Sequence, residues 1–183
     1  MSTQTKRLTY REYLKTPEIK ARYDIVDGVM TMAPAPSLEH QKILSQLYLS
    51  LHQFASDHQL GQVFFAPADV IIQREPLRTQ QPDLLFVSSE RTSILGDQVD
   101  GAPDLVAEIL SPSNTRSDLE AKLADYATLG VRECWLVSPE ARSLEVLVLI
   151  EGSWVRQTIS GLGEHVQSQI LPELDLEVDR LFQ

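Results

Sequence analysis

Two acidic residues set in apolar, strand-like runs, with one lysine a short way downstream, are the side chains of this sequence best suited to chemistry. Gln81-Pro82-Asp83-Leu84-Leu85-Phe86-Val87 reads as a buried strand with a carboxylate at its start, and Asp104-Leu105-Val106-Ala107-Glu108-Ile109-Leu110 as a second with a carboxylate inside it. Neither acid belongs in an apolar core without a partner. Beyond the Ser111-Pro112 break, residues 117–129 read as a helix, and Lys122 lies on it. Paired carboxylates with no Cys or His cluster favour a hard cation, Mg2+ or Mn2+, held by oxygens and retaining water. Such an ion polarises a phosphoryl oxygen and acidifies a bound water. A nearby ammonium orients that water or offsets charge in the transition state, so two carboxylates and a lysine suffice for metal-dependent phosphodiester hydrolysis.

Each residue also has a plainer reading. Asp83, after Pro82, is suited to starting a strand or capping a turn. The face carrying Glu108 is open to either solvent or burial, since Val106, Ala107, Ile109 and Leu110 surround it. Lys122 is suited to a surface pair with Asp118 at i−4. His40 falls on the apolar face of a long helix, where a hydrogen-bonded core histidine is as natural as a site residue. Asp27 suits a hairpin turn and Asp69 a strand end. The signal is the combination.

The elements that must position these groups follow from periodicity. Thr9 and Glu12 have the spacing of a capping box before a short helix that stops near Pro17. Residues 23–32 alternate around Asp27-Gly28, a hairpin signal. Ser37 caps a long helix with apolar positions His40, Leu44, Leu47, Tyr48, Leu51 and Phe54, closed by Gly61. Val63, Phe65, Val70 and Ile72 suggest one long strand with an irregularity at Pro67, followed by a polar turn over 74–80. Residues 88–102 form a loop or lid. The helix of 117–129, capped by Ser117 and Glu120 and closed by Gly130, sets Lys122 about 60° from Leu119 and about 40° from Tyr126, at the edge of the apolar stripe. Residues 131–137, 143–150 and 154–159 are three further strands, and the acidic tail alternates over 174–178. Helix, hairpin, long helix, three strands, helix, three strands gives an α/β (α+β) fold with a mixed central sheet and marginal antiparallel hairpins.

A chain of 183 residues, 43% hydrophobic, suits one domain over 1–183: an N-terminal helix and hairpin (8–33), a core (37–160) and a C-terminal extension (161–183). No apolar run is long enough to span a bilayer and no signal segment is evident, which predicts a cytoplasmic protein without membrane contact. Cys134 reads as a small core hydrophobe. The net charge of −10 argues against a general polyanion binder. Residues 1–22 nevertheless carry six basic against two acidic residues, a net +4 that leaves −14 for the remainder.

At these residues the sequence resembles the Uma-two family of endonuclease-like proteins in the restriction-endonuclease-like superfamily. The matching pieces are Tyr23-Asp24-Ile25-Val26-Asp27-Gly28, the helix start at Pro36 to His40, Ala66-Pro67-Ala68-Asp69-Val70, Gln81-Pro82-Asp83-Leu84 and the run from Ala102 to Ser113. Asp118, Lys122 and Tyr126, then Gly130 to Val137, continue the match. The resemblance implies a mixed sheet flanked by helices and a site on the superfamily pattern P-D, then D/E-x-K, with Asp83 and Glu108 as metal ligands. Where that pattern expects lysine, two residues after Glu108, stands Leu110; Lys122 is the matching position in this family. His40 and Tyr126 would line the site, with Asp69 and Asp27 as further candidates.

The leading expectation is a metal-dependent phosphodiesterase acting on DNA. Its phosphate groove would come from Arg74, Arg78, Arg91 and Arg116 with the N-terminal cluster, or from a homodimer. A catalytically silent module of the same fold, binding nucleic acid or protein, is the alternative. A glycosidase pair formed by Asp83 and Glu108 leaves Lys122 without a role.

Overall fold

Left-handed backbone at Asp27 (φ 51) and Gly28 (φ 77) turns the first hairpin, where a Cβ at Gly28 would meet the Leu8 carbonyl oxygen at 2.7 Å. The computed structural model describes residues 7–17, 19, 21–111 and 115–183. Lys6, Glu18 and Lys20 of the basic segment and the Pro112 break lie outside the described residues. In chain order the elements are α1 (Tyr10–Tyr13), β1 (Tyr23–Val26), β2 (Val29–Met32), α2 (Leu38–Asp57), β3 (Gly61–Phe65), β4 (Val70–Arg74) and β5 (Leu77–Gln80). They continue with β6 (Leu84–Ser88), β7 (Leu105–Ile109), α3 (Arg116–Leu129), β8 (Glu133–Ser138), β9 (Ser143–Ile150) and β10 (Ser153–Ser160).

Two sheets result. The smaller, antiparallel throughout, has the order β2-β1-β5-β4, and the larger has the order β10-β9-β8-β7-β6-β3. Within the larger sheet only β7 and β8 run parallel. Parallel neighbours need a crossover connection, and α3 is that crossover. The expected single strand over 63–72 is therefore two strands in different sheets, and the expected polar turn over 74–80 contains β5. The helix α2 ends at His58; Gly61 instead opens β3, where a Cβ would lie 2.1 Å from the Val87 carbonyl oxygen. Close approach of β6, not helix termination, is what requires glycine there.

Alternation along the central strands sorts side chains to the two faces of the large sheet. Leu84 and Phe86 of β6, and Leu105, Ala107 and Ile109 of β7, join Leu47 and Leu51 of α2 in one buried layer. Leu85, Val87 and Val106 face the other way, packing with Tyr126 of α3, Cys134 and Leu147. Glu108 alternates with Ala107 and so falls on the α3 side. The tail alternates in burial at Leu174, Leu176 and Val178, yet forms only a bridge between His165 and Glu177 and a 3-10 turn over Val178–Phe182. It is pinned by buried Glu133, which accepts hydrogen bonds from Trp135 Nε1 (2.7 Å), Ser168 Oγ (2.6 Å) and the Gln169 N–H (2.8 Å).

Asp104, fully buried at the entrance to β7, accepts from the Ser88 N–H (2.7 Å), Arg91 Nη1 (3.0 Å) and Arg132. Burial alone would raise its carboxyl, but these three donors outweigh it and hold the group below the usual carboxylate range. A group depressed in the folded state contributes stability above its unfolded value of about 3.9 and loses it as pH falls. Asp104→Asn is therefore expected to cost about 2 to 3 kcal/mol at neutral pH. Urea denaturation should show that deficit shrinking at about pH 3, below the unfolded value. An equal deficit at both pH values would show that charge is not its source.

Candidate active site

Helix α3 begins at Thr115, whose side chain accepts from the Asp118 N–H while the Asp118 carboxylate accepts from the Thr115 N–H (3.0 Å) and hydroxyl (2.7 Å). The cap is thus Thr115 with Asp118, not Ser117 with Glu120, because this pair satisfies the first exposed N–H groups reciprocally. Asp118 is consequently engaged at the helix start, and Lys122 turns to the sheet. Its Nζ donates to both oxygens of Glu108, at 3.2 and 3.1 Å. One helical turn on, the buried Tyr126 hydroxyl donates to Glu108 Oε1 at 2.5 Å. Strand β7 and helix α3 therefore deliver three side chains to one point.

Asp83 arrives from the start of β6. Its Oδ2 accepts from the Ile109 N–H at 2.7 Å, which ties the start of β6 to the end of β7 beside Glu108. Its Oδ1 accepts from Arg22 Nη1 at 2.5 Å, and His40 Nε2 lies 3.3 Å from the same oxygen without an aligned hydrogen bond. Asp83 and Glu108 are only 2% and 6% exposed, so both charges depend on these partners.

The two carboxyls are pushed apart electrostatically. Burial works to raise Asp83, but His40, Arg22 and the Ile109 N–H leave it lowered. Glu108 is raised, by burial first and by the charge of Asp83, against the pull of Lys122 and Tyr126. Burial would lower Lys122, yet Glu108 above all holds it raised. Contact of Nζ with both carboxylate oxygens favours the ionised pair, with burial and repulsion by Asp83 opposing it.

The remaining candidates lie apart. Asp27 sits in its hairpin turn, half exposed, 3.6 Å from Arg78 Nη2. Asp69, just before β4, accepts from the Tyr13 and Tyr23 hydroxyls (2.5 and 2.8 Å) and from Gln81 Nε2 (2.9 Å). This cluster borders a cleft of about 420 Å³ and is linked to Asp83 through Gln81 and Arg22. The arginines expected to form a groove are each ion-paired: Arg74 with Asp100, Arg78 with Asp125, Arg91 with Asp104 and Arg116 with Glu120.

Residues that sequence reasoning missed complete the surroundings. Arg22 donates to Asp83 and, through Nη2, to the Gln81 carbonyl at 2.8 Å. Gln81 also takes the Tyr23 N–H on Oε1 and gives its own N–H to Asp24, both at 3.2 Å. Buried Asp125, on α3, accepts from Arg78 Nη1 (2.6 Å) and Gln80 Nε2 (2.7 Å), clamping the helix that carries Lys122 onto β5. The only prior sign of Arg22 was the excess of positive charge at the N-terminus.

The donor set suits a hard cation chemically: two buried carboxylates, with Asp83 held by the N–H of Ile109, the residue next to Glu108. Among the described residues no three His, Cys, Asp or Glu side chains form a cage, so water and substrate oxygens would supply the remaining positions.

This architecture is a mixed α+β fold of the restriction-endonuclease-like class. A crystal structure from Anabaena variabilis, described as "a putative nuclease belonging to DUF820", shares it with a TM-score of 0.78 at 20% identity, covering 96% of this chain and 97% of that chain. A family model described as "Putative restriction endonuclease" matches residues 10–179, and the chain belongs to that family, Uma2. No curated protein matches it. Among the described residues no helix is long and apolar enough to cross a membrane.

Proposed function

We propose that this protein is a DNA endonuclease that uses Mg2+ or Mn2+, with Asp83 and Glu108 holding the ion and Lys122 serving the attacking water. The observation that carries this reading is the double contact of Lys122 Nζ with Glu108, which brings a helix lysine to a strand carboxylate beside Asp83. When bound, the cation supplies Lewis acidity and a water of lowered pKa. Tyr126 fixes the Glu108 carboxylate, as the Ile109 N–H fixes Asp83, so that both present set oxygens rather than a mixture of rotamers. Lys122, tied to the same carboxylate, holds its ammonium where negative charge develops on the phosphoryl oxygens and donates a hydrogen bond to the incoming water.

One observation favours the silent alternative: the pair is already neutralised, with Arg22 on Asp83 and Lys122 on Glu108. Incubation with duplex and single-stranded DNA and with RNA, in Mn2+ and in EDTA, separates the readings. Cleavage of DNA that appears with Mn2+ and stops with EDTA is the expected result. Cleavage undiminished in EDTA overturns the metal mechanism, and binding without turnover under every condition establishes the module.

A further inference from the structure

The inner cluster pairs its two buried carboxylates with two cations, Arg22 on Asp83 and Lys122 on Glu108, and the Asp24 carboxylate lies close enough to act on both cations. Arg22 is the member whose place is least complete. Its Nη1 and Nη2 are engaged, but Nε is buried without an acceptor, although a guanidinium offers five donors. An unmet buried donor is costly, and an arginine kept in such a position is ready to accept a better partner. The side chain is 21% exposed, unlike the 2% of Asp83, so one side of it faces solvent, from which a substrate arrives. It is also held by two separate anchors. Loss of the Asp83 contact leaves the Gln81 carbonyl to keep the guanidinium at the site.

Resting on the nuclease reading above, we propose that Arg22 exchanges partners: it neutralises Asp83 in the ion-free protein and, once a divalent cation occupies the carboxylate pair, turns to a phosphodiester oxygen of the substrate. Charge decides the direction. With a divalent ion on the pair, the cluster gains two positive charges, and the guanidinium beside Asp83 becomes repelled rather than required. A phosphodiester would bring negative charge of its own, which offsets that excess and gives the guanidinium a new partner. The planar fork of arginine matches phosphate oxygens better than any other side chain available there. Arg22 would thus touch substrate, while acting as a competitor of the cation before substrate binds.

Arg22→Gln tests both halves in the full-length chain. Calorimetry with Mn2+ should show about tenfold tighter binding than wild type, since Asp83 no longer has a resident cation to give up. Anisotropy with a labelled DNA duplex should show about tenfold weaker binding in Ca2+, a hard cation used to limit turnover, and no change in EDTA, where Arg22 stays on Asp83. A purely structural arginine would weaken Mn2+ binding and lower DNA affinity in both buffers, and that pattern overturns the exchange. Mn2+ binding by wild type with no gain in the variant overturns it while leaving the metal reading intact. Absence of Mn2+ binding from both proteins overturns both. Should Arg22→Gln unfold, Arg22→Lys keeps the charge without the fork: Mn2+ affinity should stay within about twofold of wild type while DNA binding in Ca2+ falls, and the reverse pattern sinks the idea.

Discussion

Asp83→Asn is expected to reduce metal-dependent cleavage by about three orders of magnitude and to make Mn2+ binding undetectable by calorimetry at concentrations that saturate wild type. Asparagine is nearly isosteric, and its oxygen can still accept the Ile109 N–H that now reaches Asp83 at 2.7 Å. The connection between β6 and β7 is therefore retained. What disappears is the charge, and with it both a hard ligand and the counter-ion of Arg22. Removing one member of a buried pair leaves the other uncompensated, at about 3 kcal/mol, the low end for such pairs because the Arg22 side chain is 21% exposed. The variant should thus be folded but less stable, and addition of Mn2+ should no longer raise its melting temperature. Wild-type cleavage surviving in Asp83→Asn would remove Asp83 from the mechanism whatever its geometry.

What could be read from residues alone was local. The capping box at Thr9, the Asp27-Gly28 hairpin and the buried strands around Asp83 and Glu108 are each specified within a few neighbours, and the structure contains them. The errors occur where one residue type serves two purposes. Gly61 satisfies a rule for helix ends, but its place is set by the approach of Val87 from the neighbouring strand. Thr115 and Ser117 both suit an N-cap, and the reciprocal bonds with Asp118 decide between them. The same choice diverts Asp118 from Lys122 and leaves that lysine for Glu108.

Site partners distant in sequence were not legible, for a physical reason. Arg22 is 61 residues from Asp83, and Asp125 is 47 from Arg78. No periodicity links positions on separate elements: Arg78 meets Asp125 where the small sheet packs on α3, and Arg22 meets Asp83 where the chain passes from β5 into β6. Asp125 illustrates the consequence: on the helix it is simply an acid three residues after Lys122, whereas in the fold it holds α3 to β5 and thereby fixes the direction from which Lys122 meets the sheet.

Lys122→Met isolates the contribution of that direction. Methionine retains the unbranched stem and much of the packing but removes the ammonium. Cleavage is expected to fall by about two to three orders of magnitude, the range for loss of one group that stabilises transition-state charge, with Mn2+ affinity reduced by less than about tenfold. The modest loss of affinity has its own cause. Lys122 is the strongest influence lowering the Glu108 carboxyl against its burial, and without it burial and Asp83 raise that group further. A carboxyl raised in the folded state binds a proton that the unfolded chain releases, so stability must fall as pH rises. Lys122→Met should accordingly lose stability relative to wild type as pH rises above the unfolded glutamate value of about 4.3, as Glu108 is forced to ionise without its cation. Urea denaturation as a function of pH, together with single-turnover cleavage, reads both effects. A parallel loss of rate and Mn2+ affinity would show that Lys122 only maintains the ligand, and a pH-independent stability deficit would show that Glu108 does not depend on it for its charge.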